Sequence, residues 1–220
     1  MLAGQGQRML KPGRVASGPV AAGFSLIELM VTMTILGLLL LATMPSIGAW
    51  LRNTEIRNAA ESINSGLAKA RSEAVRRNQP VLFSLVTPQS GNPGVLDNSC
   101  ALSATSASWV VSLETPETQC AVAVSEDTSP KILAKYAQGD GARNVAIAIK
   151  NADCSAAAST TQVSYNSYGR ITTPASALRC IDISHTASGA SRPLRLMLGN
   201  GGNVRMCDPA VTDDNDPRKC

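Results

Sequence analysis

The sequence predicts an α+β fold: a long N-terminal helix, its first half transmembrane, whose second half packs on an antiparallel β-sheet globular domain. Three observations predict it. An uncharged apolar run follows a short cationic segment, and an apolar period of three to four residues continues after that run. Beyond Pro80 the period shortens to β-branched runs separated by Gly, Pro, Ser, Asn and Asp clusters.

From Leu29 to Met44 no residue carries a charge, and counting back to Phe24 adds one carboxylate, Glu28. That length nearly spans a bilayer as a helix. Arg8, Lys11 and Arg14 precede the run with no acid near them, so the positive-inside rule places residues 1–23 in the cytoplasm. Everything after about residue 46 then lies on the oxidising side of a membrane crossed once. A secretory signal peptide has a shorter apolar core and a small-residue cleavage site, whereas this run leads into Pro45 and more helix. Pro45 is expected to kink or locally open the helix. Ile47, Leu51, Ile56, Ala60, Ile63, Leu67, Ala70 and Ala74 then recur on one face, with Arg52, Glu55, Arg57, Lys69, Arg71 and Glu73 largely elsewhere. Asn78-Gln79-Pro80 ends the helix. At 1.5 Å per residue, residues 24–78 would extend roughly 80 Å.

Strands are expected at Val81–Val86, Trp109–Leu113, Lys131–Tyr136, Val145–Ile149, Gln162–Tyr165, Leu178–Ile183, Leu194–Leu198 and Val204–Met206. Residues 88–107 and 151–161 have few large apolar side chains and read as surface loops. The chain thus divides into 1–23, a helix over 24–78 (24–45 in the membrane, 46–78 amphipathic) and a β-rich domain over 79–220.

The 220 residues suit one core rather than two enzymatic domains. The net charge is +4, and removing residues 1–23 takes away three cations to leave +1. With aromatics at 3%, this excludes a basic nucleic-acid footprint over the whole domain and leaves only a local patch open. Cys100, Cys120, Cys154, Cys180, Cys207 and Cys220 contain no C-x-x-C pair and no histidine at ligand spacing, so they read as disulfides rather than a metal site. Sequential pairing is the expectation, led by Cys207 with Cys220. His185 is the lone histidine, without a nucleophile elbow, P-loop or zinc-protease motif, and reads as a surface residue in a chain that is not an enzyme and holds no cofactor. Asp213-Asp214-Asn215-Asp216 lacks calcium-loop spacing and reads as a polar turn. Trp50 fits an interfacial anchor and Trp109 the core.

Gly23-Phe24-Ser25-Leu26-Ile27-Glu28, followed at once by the apolar run, resembles the processing site of type IV prepilins and type II secretion pseudopilins. The resemblance implies a type IV pilin-like fold, cleavage between Gly23 and Phe24 by a prepilin peptidase, and N-methylation of Phe24. Glu28 becomes the fifth mature residue, which in that family pairs with the N-terminal amine of a neighbouring subunit. The physics agrees: a carboxylate in an apolar bundle is costly unless a cation meets it. Leu67–Val81 (LAKARSEAVRRNQPV) resembles the helix end of the FimT/GspH branch, and Gly201–Pro209 resembles the C-terminus of FimT-like minor pilins. The implied function is that of a minor type IV pilin, assembling with other major and minor pilins into a cell-surface pilus. The alternative is a minor pseudopilin of a type II secretion system, assembling with other pseudopilins.

In FimT proteins of naturally competent bacteria a Gly-Arg-x-Arg motif at this place is associated with binding double-stranded DNA for uptake. Here its first arginine is Asn203, leaving Arg205. Each lost phosphate contact weakens DNA binding unless neighbours compensate. Arg192, Arg195, Arg170, Arg218 and Lys219 are the candidates, and alternation with Leu194 and Leu196 directs Arg195 to solvent.

Overall fold

The computed structural model describes residues 23–88, 90, 92 and 94–220, without the side chains of 42–45. The leader expected over 1–23 lies outside them except for Gly23. Two compact units result, Met1–Met44 and Pro45–Cys220.

The helix α1 (Leu26–Arg77) is one element, with helical backbone assigned through Pro45. Ser25 starts it: its hydroxyl oxygen accepts the Glu28 amide at 3.2 Å, an N-cap with a carboxylate in the first turn. In the first unit Leu26, Ile27, Met30, Leu36, Leu39 and Leu41, among others, are all at least half exposed. Thr32 and Thr34 donate to the Leu29 and Met30 carbonyls, so their hydroxyls are satisfied within the helix. Taken singly, neither Leu26–Leu41 nor Ser46–Arg77 is long and apolar enough to cross a membrane, and the two stretches meet that requirement only together.

In the second unit Ile56, Ala59, Ala60, Ile63, Leu67, Ala70 and Ala74 are fully buried, each large one stabilising by about 1.5–3 kcal/mol. The expected stripe starts too early, because Ile47 and Leu51 are exposed along with Trp50. Over that turn polar side chains make the contacts instead. Asn53 Oδ1 accepts the Arg192 amide at 2.8 Å, and Arg52 Nε donates to the Ala190 carbonyl at 3.2 Å.

Nine strands follow: β1 (Val81–Thr87), β2 (Ala101–Leu102), β3 (Trp109–Ser112), β4 (Ile132–Tyr136), β5 (Val145–Lys150), β6 (Gln162–Tyr165), β7 (Cys180–His185), β8 (Leu194–Leu198) and β9 (Val204–Cys207). Every pairing is antiparallel. In the first sheet β1 is central, with β3 and then β4 on one edge, and β6 and β2 sharing the other. The second sheet runs β5-β7-β8-β9. One core joins Ile63 and Leu67 of α1, Phe83 and Tyr165 of the first sheet, and Ile181 and Leu196 of the second. Buried Gln138 ties the sheets, its Oε1 accepting the Ala107 amide at 3.0 Å and its Nε2 donating to the Val145 carbonyl at 2.8 Å.

The segment 88–107 departs from a simple surface loop. It contains β2, and its Leu96 and Cys100 form a second core with Val86, Val110, Cys120 and Ile132. The first sheet is therefore covered on both faces, which is why β3 is buried at every position. The disulfides are Cys100–Cys120, Cys154–Cys180 and Cys207–Cys220, with Cα separations of 6.1, 5.5 and 5.1 Å.

Candidate functional site

Two regions hold the expected site residues. The first is the start of α1. Phe24 is 83% exposed, nothing lies within 4 Å of where a Gly23 side chain would begin, and Glu28 sits in the first helical turn. Negative charge is favoured there by the unpaired amides of the helix N-terminus. Gly23 and Phe24 thus lie outside regular secondary structure, exposed, and lead directly into a capped apolar helix.

The second region is the C-terminal part of the second sheet. The turn between β8 and β9 is forced by Gly202, whose φ of +80° suits glycine and whose added Cβ would lie 2.0 Å from the Gly169 carbonyl oxygen. Arg71 of α1 donates through Nε to that same carbonyl at 3.1 Å, so helix, β6–β7 turn and β8–β9 turn meet at one point. Beyond β9 the chain folds back, Asp208 bridging to Lys219 and the Cys207–Cys220 disulfide closing the loop.

This geometry separates the expected cations. Arg205 pairs in register with Met197, on the opposite side of the sheet from Leu196 and Met206. It is exposed and donates through Nη2 to the Lys219 carbonyl at 2.5 Å. Arg195 lies on Arg205's face as alternation requires, but it does not project freely into solvent. Its guanidinium grips Asp182 through Nε at 2.5 Å and Nη2 at 2.9 Å, and its side chain is only 17% exposed. Lys150 reaches the same carboxylate at 2.9 Å. Burial raises the Asp182 pKa, but these two cations outweigh it and hold the group below its ordinary value.

Arg192 is exposed on the other side, where it lines a groove of about 590 Å³ with Arg57, Leu194, Met206 and Arg218. Arg170 sits apart in the β6–β7 turn, its amide held by Asn166 Oδ1 at 3.0 Å. Arg218 is bonded to Asp216 at 2.6 Å, and Lys219 is paired with Asp214. The acidic turn therefore serves the chain's own cations.

His185 is a second correction. Its side chain is 6% exposed, Nδ1 accepting the Ala187 amide at 3.0 Å and Nε2 lying 3.5 Å from Glu55 Oε2. Pairing of β7 with β5 carries the strand end against α1, where Glu55 also takes Asn144. Arg57 and Arg71, legible in the sequence only as charges on the helix face, stand at these sites, as does Arg179. The signal for Arg179 was an arginine inside an apolar run, Leu178–Ile183.

A profile of the family described as Type II transport protein GspH matches residues 59–209, more than half of the 220 residues. The chain belongs to the GspH family. The match runs from within α1 past the end of β9, and so includes every strand and the Arg71–Gly202 junction. A second profile, the prokaryotic N-terminal methylation motif, matches residues 20–44. It implies processing by a prepilin peptidase, assembly with other pilins or pseudopilins, and membrane anchoring through the N-terminal helix.

Among solved structures, the type IV minor pilin FimU of Pseudomonas aeruginosa (strain PAO1) is similar in two crystal forms. One is 16% identical over 72% of this chain and 96% of that chain, the other 14% over 71% and 99%, each with a TM-score of 0.41. No curated protein sequence matches the chain significantly. This GspH-family chain is a pilin- or pseudopilin-like structural protein with a methylation motif, built as a helix on antiparallel sheets.

Proposed function

We propose that this GspH-family chain is a minor type IV pilin. In this reading it is held in the inner membrane with its β domain periplasmic, cut between Gly23 and Phe24, methylated on Phe24, and drawn into a pilus through its N-terminal helix. The observation that carries the reading is the methylation motif lying on a helix whose large apolar side chains from Leu26 to Leu41 are at least half exposed on every side. Such a surface demands lipid or other apolar helices. Within a bundle Glu28 needs a cation, and the new amine of a neighbouring Phe24 supplies one. Glu28→Ala is expected to be cleaved normally yet missing from sheared filaments; normal incorporation would contradict the reading.

DNA capture is the finer part of the proposal and rests on exposed Arg205 alone, since Arg192 lies on the other side of the sheet and Arg170 apart from both. Duplex binding by the full chain in detergent should weaken with salt. Arg205→Ala should flatten the dependence of log K on log salt by about one. No binding at low salt would remove DNA from the account.

The description of the family as a type II transport protein favours a second reading, a minor pseudopilin of a type II secretion system. Deleting the gene would then abolish export of secreted proteins and leave surface pili intact.

A further inference from the structure

Ile47, Trp50 and Leu51 open the helical part of the second unit, and each is more than half exposed. They cluster on the side of α1 turned away from the buried Ile56, Ala59 and Ala60. The next turn gathers cations. Arg52 Nε donates to the Ala190 carbonyl at 3.2 Å and Asn53 Oδ1 accepts the Arg192 amide at 2.8 Å, which ties the β7–β8 loop down at this level. The exposed Arg192 side chain shares its groove with Arg57, which follows Trp50 by two turns on the same helix face. The sheet agrees with that placement: Leu194 and Met206, on the groove floor, share the inner face of the second sheet with buried Leu196. Neither Arg57 nor Arg192 takes part in an ion pair among the described residues, although Glu61 stands only four residues beyond Arg57. The other acids are engaged: Asp216 and Asp208 act on Arg218, and Glu55 faces His185 and Asn144.

Three large apolar side chains followed by unpaired guanidiniums repeat the order of a membrane surface, acyl boundary first and phosphates next. From Ser46 to Asn53 the helix rises about 10 Å, one screening length at about 0.1 M salt, and the Arg57 side chain leans back towards the helix N-terminus. We propose that this rim docks on the anionic phospholipid headgroups of the leaflet through which α1 leaves the membrane. Trp50 lies at the acyl boundary, Arg192 and Arg57 meet the phosphates, and the domain is held against the lipid until the subunit is assembled. The inference rests on membrane anchoring through the N-terminal helix, and is independent of whether the filament is a pilus or a secretion pseudopilus.

The test uses the full chain reconstituted in phosphatidylcholine vesicles carrying a small fraction of brominated phosphatidylglycerol or, in parallel, of brominated phosphatidylcholine. Bromine quenches tryptophan on contact, and of the chain's two tryptophans Trp109 is buried in the core, so Trp50 reports which lipids surround the rim. Phosphatidylglycerol is expected to be preferred about fivefold or more at low salt, the effect of one arginine near an anionic surface. The preference should vanish at about 1 M salt, where screening sets in within about 3 Å. The double variant Arg57→Gln, Arg192→Gln changes only exposed side chains, and Trp50 in it should be quenched equally by both lipids. Equal quenching in the native chain, or a preference that survives high salt or the double variant, would overturn the proposal and leave the membrane anchor standing. Quenching by neither lipid would overturn the proposal and the anchored reading together.

Discussion

Glu73 collects three cations at the end of α1: Lys69 at 2.9 Å, Arg76 at 2.6 Å and Arg77 at 2.9 Å, with its own side chain 8% exposed. Burial opposes its ionisation, but the hydrogen bonds from Lys69, Arg76 and Arg77 win and hold its pKa at about 2 against an ordinary 4.5. Because the folded value is the lower one, the stabilisation is complete above pH 4.5 and disappears as pH falls towards 2. Glu73→Gln should lower stability at pH 7 by roughly 2 kcal/mol and flatten the acid limb of the urea midpoint against pH. An unchanged acid limb would mean the cluster is decorative. Lys69, Arg76 and Arg77 all stand three or four residues from Glu73 and could be read from that spacing, but Glu126, which Arg76 and Arg77 also reach, could not, since it lies far along the chain. Arg195 teaches the same point. Alternation gave its face correctly, whereas its Asp182 partner depends on the register of β7 with β8.

At the scale of elements, Gly66 lets α1 and the first sheet approach. A Cβ there would stand 2.8 Å from two ring carbons of Trp109 and 2.9 Å from Phe83, while Trp109 Nε1 donates to Ser62 Oγ at 3.0 Å. Alanine would improve helix propensity by about 1 kcal/mol, yet the aromatic clash costs about 1–3 kcal/mol. Gly66→Ala should therefore be destabilised on balance in thermal unfolding, and a stabilised variant would show that the rings yield. Periodicity made most of the architecture legible: Gln162–Tyr165 and Leu194–Leu198 are strands at the expected bounds. It missed β2, two residues whose hydrogen bonding to β1 comes from a non-local fold-back beside the Cys100–Cys120 disulfide. It also extended the buried stripe of α1 to Ile47 and Leu51, because an apolar face shows where burial is possible and not what covers it.

At the scale of the whole molecule, composition and function meet in the difference between the two units. Residues Pro45–Cys220 bury a core shared by helix and both sheets. The described part of Met1–Met44 instead presents apolar side chains that the chain leaves exposed. A soluble monomer has no use for such a surface, but a membrane-held filament subunit does. We propose that residues 1–23 are removed before the helix acts, and intact-mass and N-terminal analysis of the protein isolated from its native cell envelope is the test. The expected chain begins at Phe24 and carries one extra methyl group on its amine. A full-length chain, or one beginning at another residue, would contradict it.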